Sequence, residues 1–285
     1  MSSRQIKRRK GESAPDEVSH AFYVYCIGES DVLTTLFESE LPDAIESEAQ
    51  LDLETNQPLA AVVSAVPKAD YAEDKLQERL AEPAWMALRA MRHEKVVEHF
   101  AARATLVPLR FGSIYLERQR ITSLLSEKRA ELIALLDRVR GREEWGVNVL
   151  RDKARLMQAI ESVSPKLREV AARAATASPG ESYLLRKKID ALRADEANAE
   201  AKRVIAQIEF DLKAASEGAL RLRVLREEGG SQDDVVARLA FLIARRQFDE
   251  FHRIAERLAE EHGQSGFQLE FTGPWPAYNF TAGEL

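Results

Sequence analysis

At 285 residues the chain is long enough for one or two domains, each able to bury a sizeable core. Apolar residues are 45%, charged residues 31%, and Gly (13) and Pro (10) are scarce, which excludes collagen-like and low-complexity chains and favours long regular elements. A net charge of −6, one cysteine (Cys26) and no apolar run near the ~18 residues of a membrane span lead us to expect a soluble cytoplasmic protein without disulfides.

Residues 1–18 form a polar tail whose first ten residues carry five basic groups and no acid. The tail reads as disordered, and its polar continuation does not look like a signal peptide. From Gly11 to Pro67 there are twelve acids and no Lys or Arg. That stretch would repel phosphate backbones, so no nucleic acid partner is expected.

Residues 19–116 read as an N-terminal α+β domain. Ala21–Ile27 is a buried first strand, followed by a short helix to Phe37 ended by Pro42. Gln50–Leu53 and Leu59–Val66 form a hairpin turning at Thr55–Gln57. A long helical region from Tyr71 to Arg103, interrupted at Pro83, presents Trp85, Leu88, Val96 and Phe100 as its apolar stripe. Thr105–Leu109 is a strand, with Pro108 suited to a sheet edge. His93 and His99 are six residues apart, about 240° around a helix, so they do not converge on a metal and read as exposed polar positions.

Residues 117–144 read as a connecting helix, from Glu117 to Arg140, stopped by Gly141. Residues 145–285 read as a C-terminal α+β domain. It opens with a strand at Trp145–Leu150 and carries a charged helical hairpin over about 152–212, turning at Ser178-Pro179-Gly180 and able to project as an antiparallel coiled coil. Ala219–Leu225 alternates as a strand with Arg221 and Arg223 on its polar side. A loop at Glu228–Ser231 leads into a helix expected from Asp233 to about His262, which would bury Val236, Leu239, Leu242, Ile243, Phe251, Ile254 and Leu258. Phe267–Phe271 is the last strand and Thr272–Phe280 an irregular aromatic segment. The fold class is α+β: two small mixed-sheet domains with helices packed on the sheets, the second carrying the hairpin.

We find no catalytic, cofactor-binding or metal-binding constellation in the sequence, and the protein is expected not to be an enzyme. Cys26 lies in an apolar strand, where a thiol is inert. Gly229-Gly230 could cradle an anion, but the neighbouring Asp233 and Asp234 would repel one. Two segments stand out. In the first, Arg110 sits among Phe111, Gly112 and Tyr115, as a structural Arg satisfied by a carboxylate or by carbonyls, or as a binding hot spot. In the second, Trp275, Pro276, Tyr278 and Phe280 form a stiff aromatic strip that either covers its own sheet or docks a partner. On the structural reading, Arg110→Ala and Trp275→Ala lower folding stability.

Val107-Pro-Leu-Arg-Phe-Gly-Ser-Ile-Tyr115, paired with Thr272-Gly-Pro-Trp-Pro-Ala-Tyr-Asn-Phe280, resembles the gas vesicle proteins of the GvpL/GvpF family, as do Phe22-Tyr-Val-Tyr25 and Gly180-Glu-Ser-Tyr-Leu-Leu-Arg-Lys187. The likeness covers about residues 20–280, with Cys26 and Ala277 as small departures, and does not separate F-type from L-type members. It implies two α+β domains and a non-enzymatic accessory role in gas vesicle formation. The partners implied are the small hydrophobic shell protein (GvpA-like) and other gas vesicle accessory proteins, and the place of action is the cytoplasm and the gas vesicle. The alternative is a soluble regulatory or nucleic-acid-binding α+β module, supported by Arg221, Arg223 and the basic tail.

Overall fold

The structure, a computed structural model, describes residues 19–71, 73–224 and 233–281. The N-terminal tail and the Glu228–Ser231 loop lie outside the described residues. The chain divides between Arg138 and Val139 into two compact units.

The first unit contains β1 (His20–Glu29), α1 (Ser30–Leu36), β2 (Leu51–Asn56), β3 (Leu59–Pro67), α2 (Lys68–Tyr71), α3 (Glu73–Leu80), α4 (Pro83–Ala101), β4 (Leu106–Pro108), β5 (Ile114–Tyr115), α5 (Arg118–Glu127) and α6 (Arg129–Val139), whose last residue falls in the second unit. The strands form an antiparallel sheet in the order β2-β3-β1-β4, with β5 also on β1. Residues Ala21–Gly28 of β1 are buried except at its two ends, as the unbroken β-forming run requires. A register shift between Val24 and Cys26 gives the strand one extra residue, Tyr25. Phe22, Val24 and Ile27 therefore share one face, packed with Ile121 and Leu125 of α5 and Leu132, Leu135 and Leu136 of α6. Tyr23 and Tyr25 share the other face, against His93 of α4.

Acidic residues of the base-free stretch are answered by arginines from later helices. Arg89 pairs with Glu46 at 2.8 Å while its guanidinium lies 4.0 Å over the Trp85 ring. Arg118 spans Asp52 and Glu54 on β2 and lies over Phe22. These contacts pin the segment around Glu46 to α4 and the hairpin to α5.

The second unit contains β6 (Arg142–Asp152), α7 (Lys153–Val163), α8 (Pro165–Thr176), α9 (Pro179–Ala214), β7 (Gly218–Leu222), β8 (Asp233–Ala244), a single 3-10 turn, α10 (Phe248–Gly263), β9 (Phe267–Trp275) and α11 (Tyr278–Thr281). Its sheet is antiparallel, in the order β7-β8-β6-β9. Val147, Val149, Leu239, Phe241, Ile243 and Phe267 face a large core closed by α7, α8, α9 and α10. Ala240 and Leu242 point the other way, onto Val139, Ala277 and Phe280.

Three expectations change. The helix expected from Asp233 is a strand to Ala244, and the helix begins only at Phe248. The physical reason is burial on both faces: apolar side chains on each side erase the period-two signal and mimic helical spacing. The helix expected over Glu117–Arg140 is two helices, α5 and α6, meeting at Lys128. The helical region after Asp152 has a second break, at Ser164-Pro165. There Ser164 caps α8 by accepting from the Leu167 N–H at 3.2 Å and donates its own hydroxyl to Glu196 of α9 at 2.8 Å. This cap is fully buried. Ser164→Ala is expected to lower the unfolding free energy of this unit by about 1–2 kcal/mol in urea titrations.

Candidate functional site

The first sequence-flagged segment is an excursion in an edge. β4 pairs with the Cys26–Gly28 end of β1 and β5 with its Phe22–Tyr23 end, and the chain between them bows outward. Leu109 N–H donates to the Tyr25 carbonyl and Val24 N–H to the Ser113 carbonyl, each at 2.9 Å, which closes the base of the bow. Gly112 at its tip has φ +89°, a left-handed conformation that suits glycine.

A buried relay holds the bow. Gly112 N–H donates to the Tyr23 hydroxyl at 3.0 Å, leaving the hydroxyl proton for Nδ1 of His93, also at 3.0 Å. The imidazole in turn bonds the backbone of Leu109. The Phe111 ring packs edge-on against His93 at 5.9 Å between centroids. Tyr25 does similar work one step along, its hydroxyl bonded to Ser64 and accepting from Ile45 N–H, each at 2.8 Å. Burial pushes the Tyr23 phenol well above its ordinary range and the Tyr25 phenol up to about 12, so both are fixed hydrogen-bonding groups and not acids. Burial also pushes the His93 imidazole down to about 4, so it is neutral at pH 7.

The expectation that His93 is an exposed helix position is thus corrected. It is fully buried and locks the bow to the sheet, because α4 turns Val96, Phe100 and His93 together toward β1. His99 retains one buried ring nitrogen without a partner among the described residues. Leu88, expected in the apolar stripe, is exposed. Cys26 is fully buried and its thiol is pushed up by desolvation.

Phe111, Gly112 and Tyr115 therefore build the bow: Tyr115 pairs with Phe22 and packs against the adjoining core. Arg110 does not. Its side chain is exposed and makes no hydrogen bond or ion pair among the described residues, so the satisfied structural Arg of the first reading is not what the fold contains.

The second segment begins as the end of β9 and finishes as α11. Gly273 has φ +125°, and a side chain there would meet the Glu144 carbonyl and the Trp145 ring, at 3.0 and 3.2 Å. Pro276 and Phe280 are buried; Phe280 lies over the sheet against Gly218, where an added Cβ would touch its ring. Tyr278 is half-buried. Glu144, which nothing in its polar run singles out, is the clamp. Its carboxylate is buried and accepts from the Asn279 backbone N–H at 2.9 Å and from the Asn279 side-chain amide. Desolvation raises its pKa and these two bonds oppose the rise. Glu144 stands beside Trp275 in register, so the clamp folds the C-terminal strip back over its own sheet. Trp275 itself stays 45% exposed.

Each segment thus has a buried anchor and an exposed side chain, Arg110 in the first unit and Trp275 in the second. Among the described residues no three His, Cys, Asp or Glu side chains are grouped to hold a metal ion, and no helix is long and apolar enough to cross a membrane. Arg221, offered as nucleic-acid support, faces Glu209 at 3.7 Å.

The family described as "Gas vesicle synthesis protein GvpL/GvpF" matches residues 21–282, which takes in both segments. The chain belongs to the GvpL/GvpF family. It is 28% identical to gas vesicle protein L of Streptomyces sp. (strain CB03234) over 224 residues, 78% of this chain and 79% of that one. It is 24% identical to gas vesicle protein F of Haloferax mediterranei over 222 residues, 78% and 77% of the two chains. The crystal structure of GvpF from Anabaena sp. PCC7120 has the same fold, with a TM-score of 0.63 at 18% identity over 92% of this chain and 96% of that one. GvpL/GvpF membership assigns the chain to gas vesicle formation.

Proposed function

We propose that the protein is a non-enzymatic assembly factor that binds the small hydrophobic shell protein of the gas vesicle, and other accessory proteins, during vesicle nucleation. It acts in the cytoplasm, where the shell grows. The observation that carries this reading is the family match through both units. A shell subunit exposes apolar surface before it polymerises, and a soluble binder that covers this surface suppresses aggregation. The chemistry of the buried groups agrees: the Cys26 thiol, the His93 imidazole and the Glu144 carboxylate are each enclosed or fully engaged in holding structure.

Arg110 and Trp275 are the contacts we assign to partners, because both are exposed and neither is used by the fold as the neighbouring residues are. Arg110→Ala and Trp275→Ala are expected to shift Tm by no more than about 2 °C each, the range of surface substitutions. The two together are expected to reduce recovery of co-expressed shell protein at least about tenfold. Loss of stability in place of loss of recovery would return both residues to a structural role.

A further inference from the structure

Where β6 runs into α7, the second unit holds a pocket of about 180 Å³ under α9. Its floor is apolar, made by Leu156, Met157 and Ala197. Its rim is polar, made by two cations, Arg151 and Lys153, and the amide of Asn198. The two cations share Asp234, Lys153 at 2.5 Å and Arg151 at 3.3 Å. The two cations lower the Asp234 pKa, so it is ionised, and this one carboxylate is shared by both.

Arg151 is under-used. Its bond to the Asn198 side-chain oxygen is 3.5 Å and that to Asp234 is 3.3 Å, where charge-assisted bonds are about 2.8 Å. Its Nε–H is buried with no partner among the described residues. A buried unpaired donor on a guanidinium is costly, and a short turn of this side chain toward an anion would relieve it.

The geometry points to a binding site for a carboxylate carried on a branched aliphatic group, the chemistry of an acidic peptide segment with an adjoining leucine. The aliphatic group fills the apolar floor; a cavity of about 150 Å³ with such a lining accommodates a benzene-sized group. The carboxylate pairs with Arg151 and Lys153. The site uses neither Arg110 nor Trp275 and does not rest on shell-protein binding.

The test uses the full, isotope-labelled chain and follows the Arg151 Nε–H resonance by NMR. The probes are acetyl-Glu-Leu-Glu-Leu-Glu-amide, its lysine counterpart, and 4-methylpentanoate. We expect a saturable shift of that resonance with the acidic peptide and at least about tenfold weaker binding of the lysine peptide. Saturation with 4-methylpentanoate at equal or higher affinity assigns the site to a free carboxylate; preference for the peptide assigns it to a protein partner. Ala194→Leu, which fills the pocket from an exposed helix position, is expected to weaken binding at least about tenfold with no change in Tm. No saturable shift with either acidic probe, equal binding of the lysine peptide, or binding that survives Ala194→Leu would each overturn the site.

Discussion

Acidification from pH 7 to about pH 4 is expected to cost the first unit about 3 kcal/mol through His93 alone. Burial holds this imidazole down to about 4, against 6.5 when free in the unfolded chain. A group depressed on folding contributes stability that is complete above its unfolded pKa and is lost as pH falls toward its folded pKa. The window is therefore pH 6.5 to 4, and about 2.5 pH units at 1.36 kcal/mol each give the figure. The structural consequence is local. A protonated imidazole has no lone pair at Nδ1 to accept the Tyr23 hydroxyl, so the link from α4 to Gly112 fails and the bow carrying Arg110 loosens. His93→Gln retains an acceptor and a donor without the titration. Urea titrations read from NMR signals of β1 at pH 7 and pH 4.5 should show a smaller pH loss in this variant. Equal losses in parent and variant would show that His93 does not set the acid sensitivity.

Phe280→Ala is expected to destabilise the second unit by about 3 kcal/mol, the lower end of the range for a buried Phe. At about 2–4 °C per kcal/mol this is a Tm shift near 10 °C. Phe280 is 3% exposed and packs with Val139, Ala240 and Leu242 on the sheet face opposite the main core. Its truncation opens a cavity where Gly218 brings the backbone closest. The same change should release Asn279 from Glu144, because the α11 turn carries both anchors. A Tm within about 1 °C of the parent would mean that the C-terminal strip is not a cover for this sheet.

The aromatic strip and the Arg110 bow were legible in sequence because their residue types are unusual where they stand. What they do was only half legible. The run Phe22–Ile27 announced a buried strand, but the register shift at Tyr25, which puts Ile27 in place of Cys26 on the face of Phe22 and Val24, leaves no mark in composition. The neutral role of His93 needed its partner Tyr23, seventy positions away. Glu144 lay in a polar run, Arg142-Glu143-Glu144, that reads as solvated; its partner Asn279 lies 135 positions along the chain. β8 misled because an element apolar on both faces has no period to detect. Ser164-Pro165 is the opposite case: it carries a Ser-Pro helix-start signal, the same pair that stands at Ser178-Pro179, where the sequence reading places only the turn of the hairpin.

The central claim is stoichiometric binding of the vesicle shell protein, and the most direct measurement is the mass of what the co-expressed proteins form. The chain and the shell protein, produced together and purified through a tag on the chain, would be run on size exclusion with light scattering, beside an unrelated soluble protein carrying the same tag. The expected result is one soluble species whose mass exceeds that of the chain by a whole number of shell subunits, absent with the control. Elution of the chain alone, with the shell protein left in the insoluble fraction as it is with the control, would contradict the account.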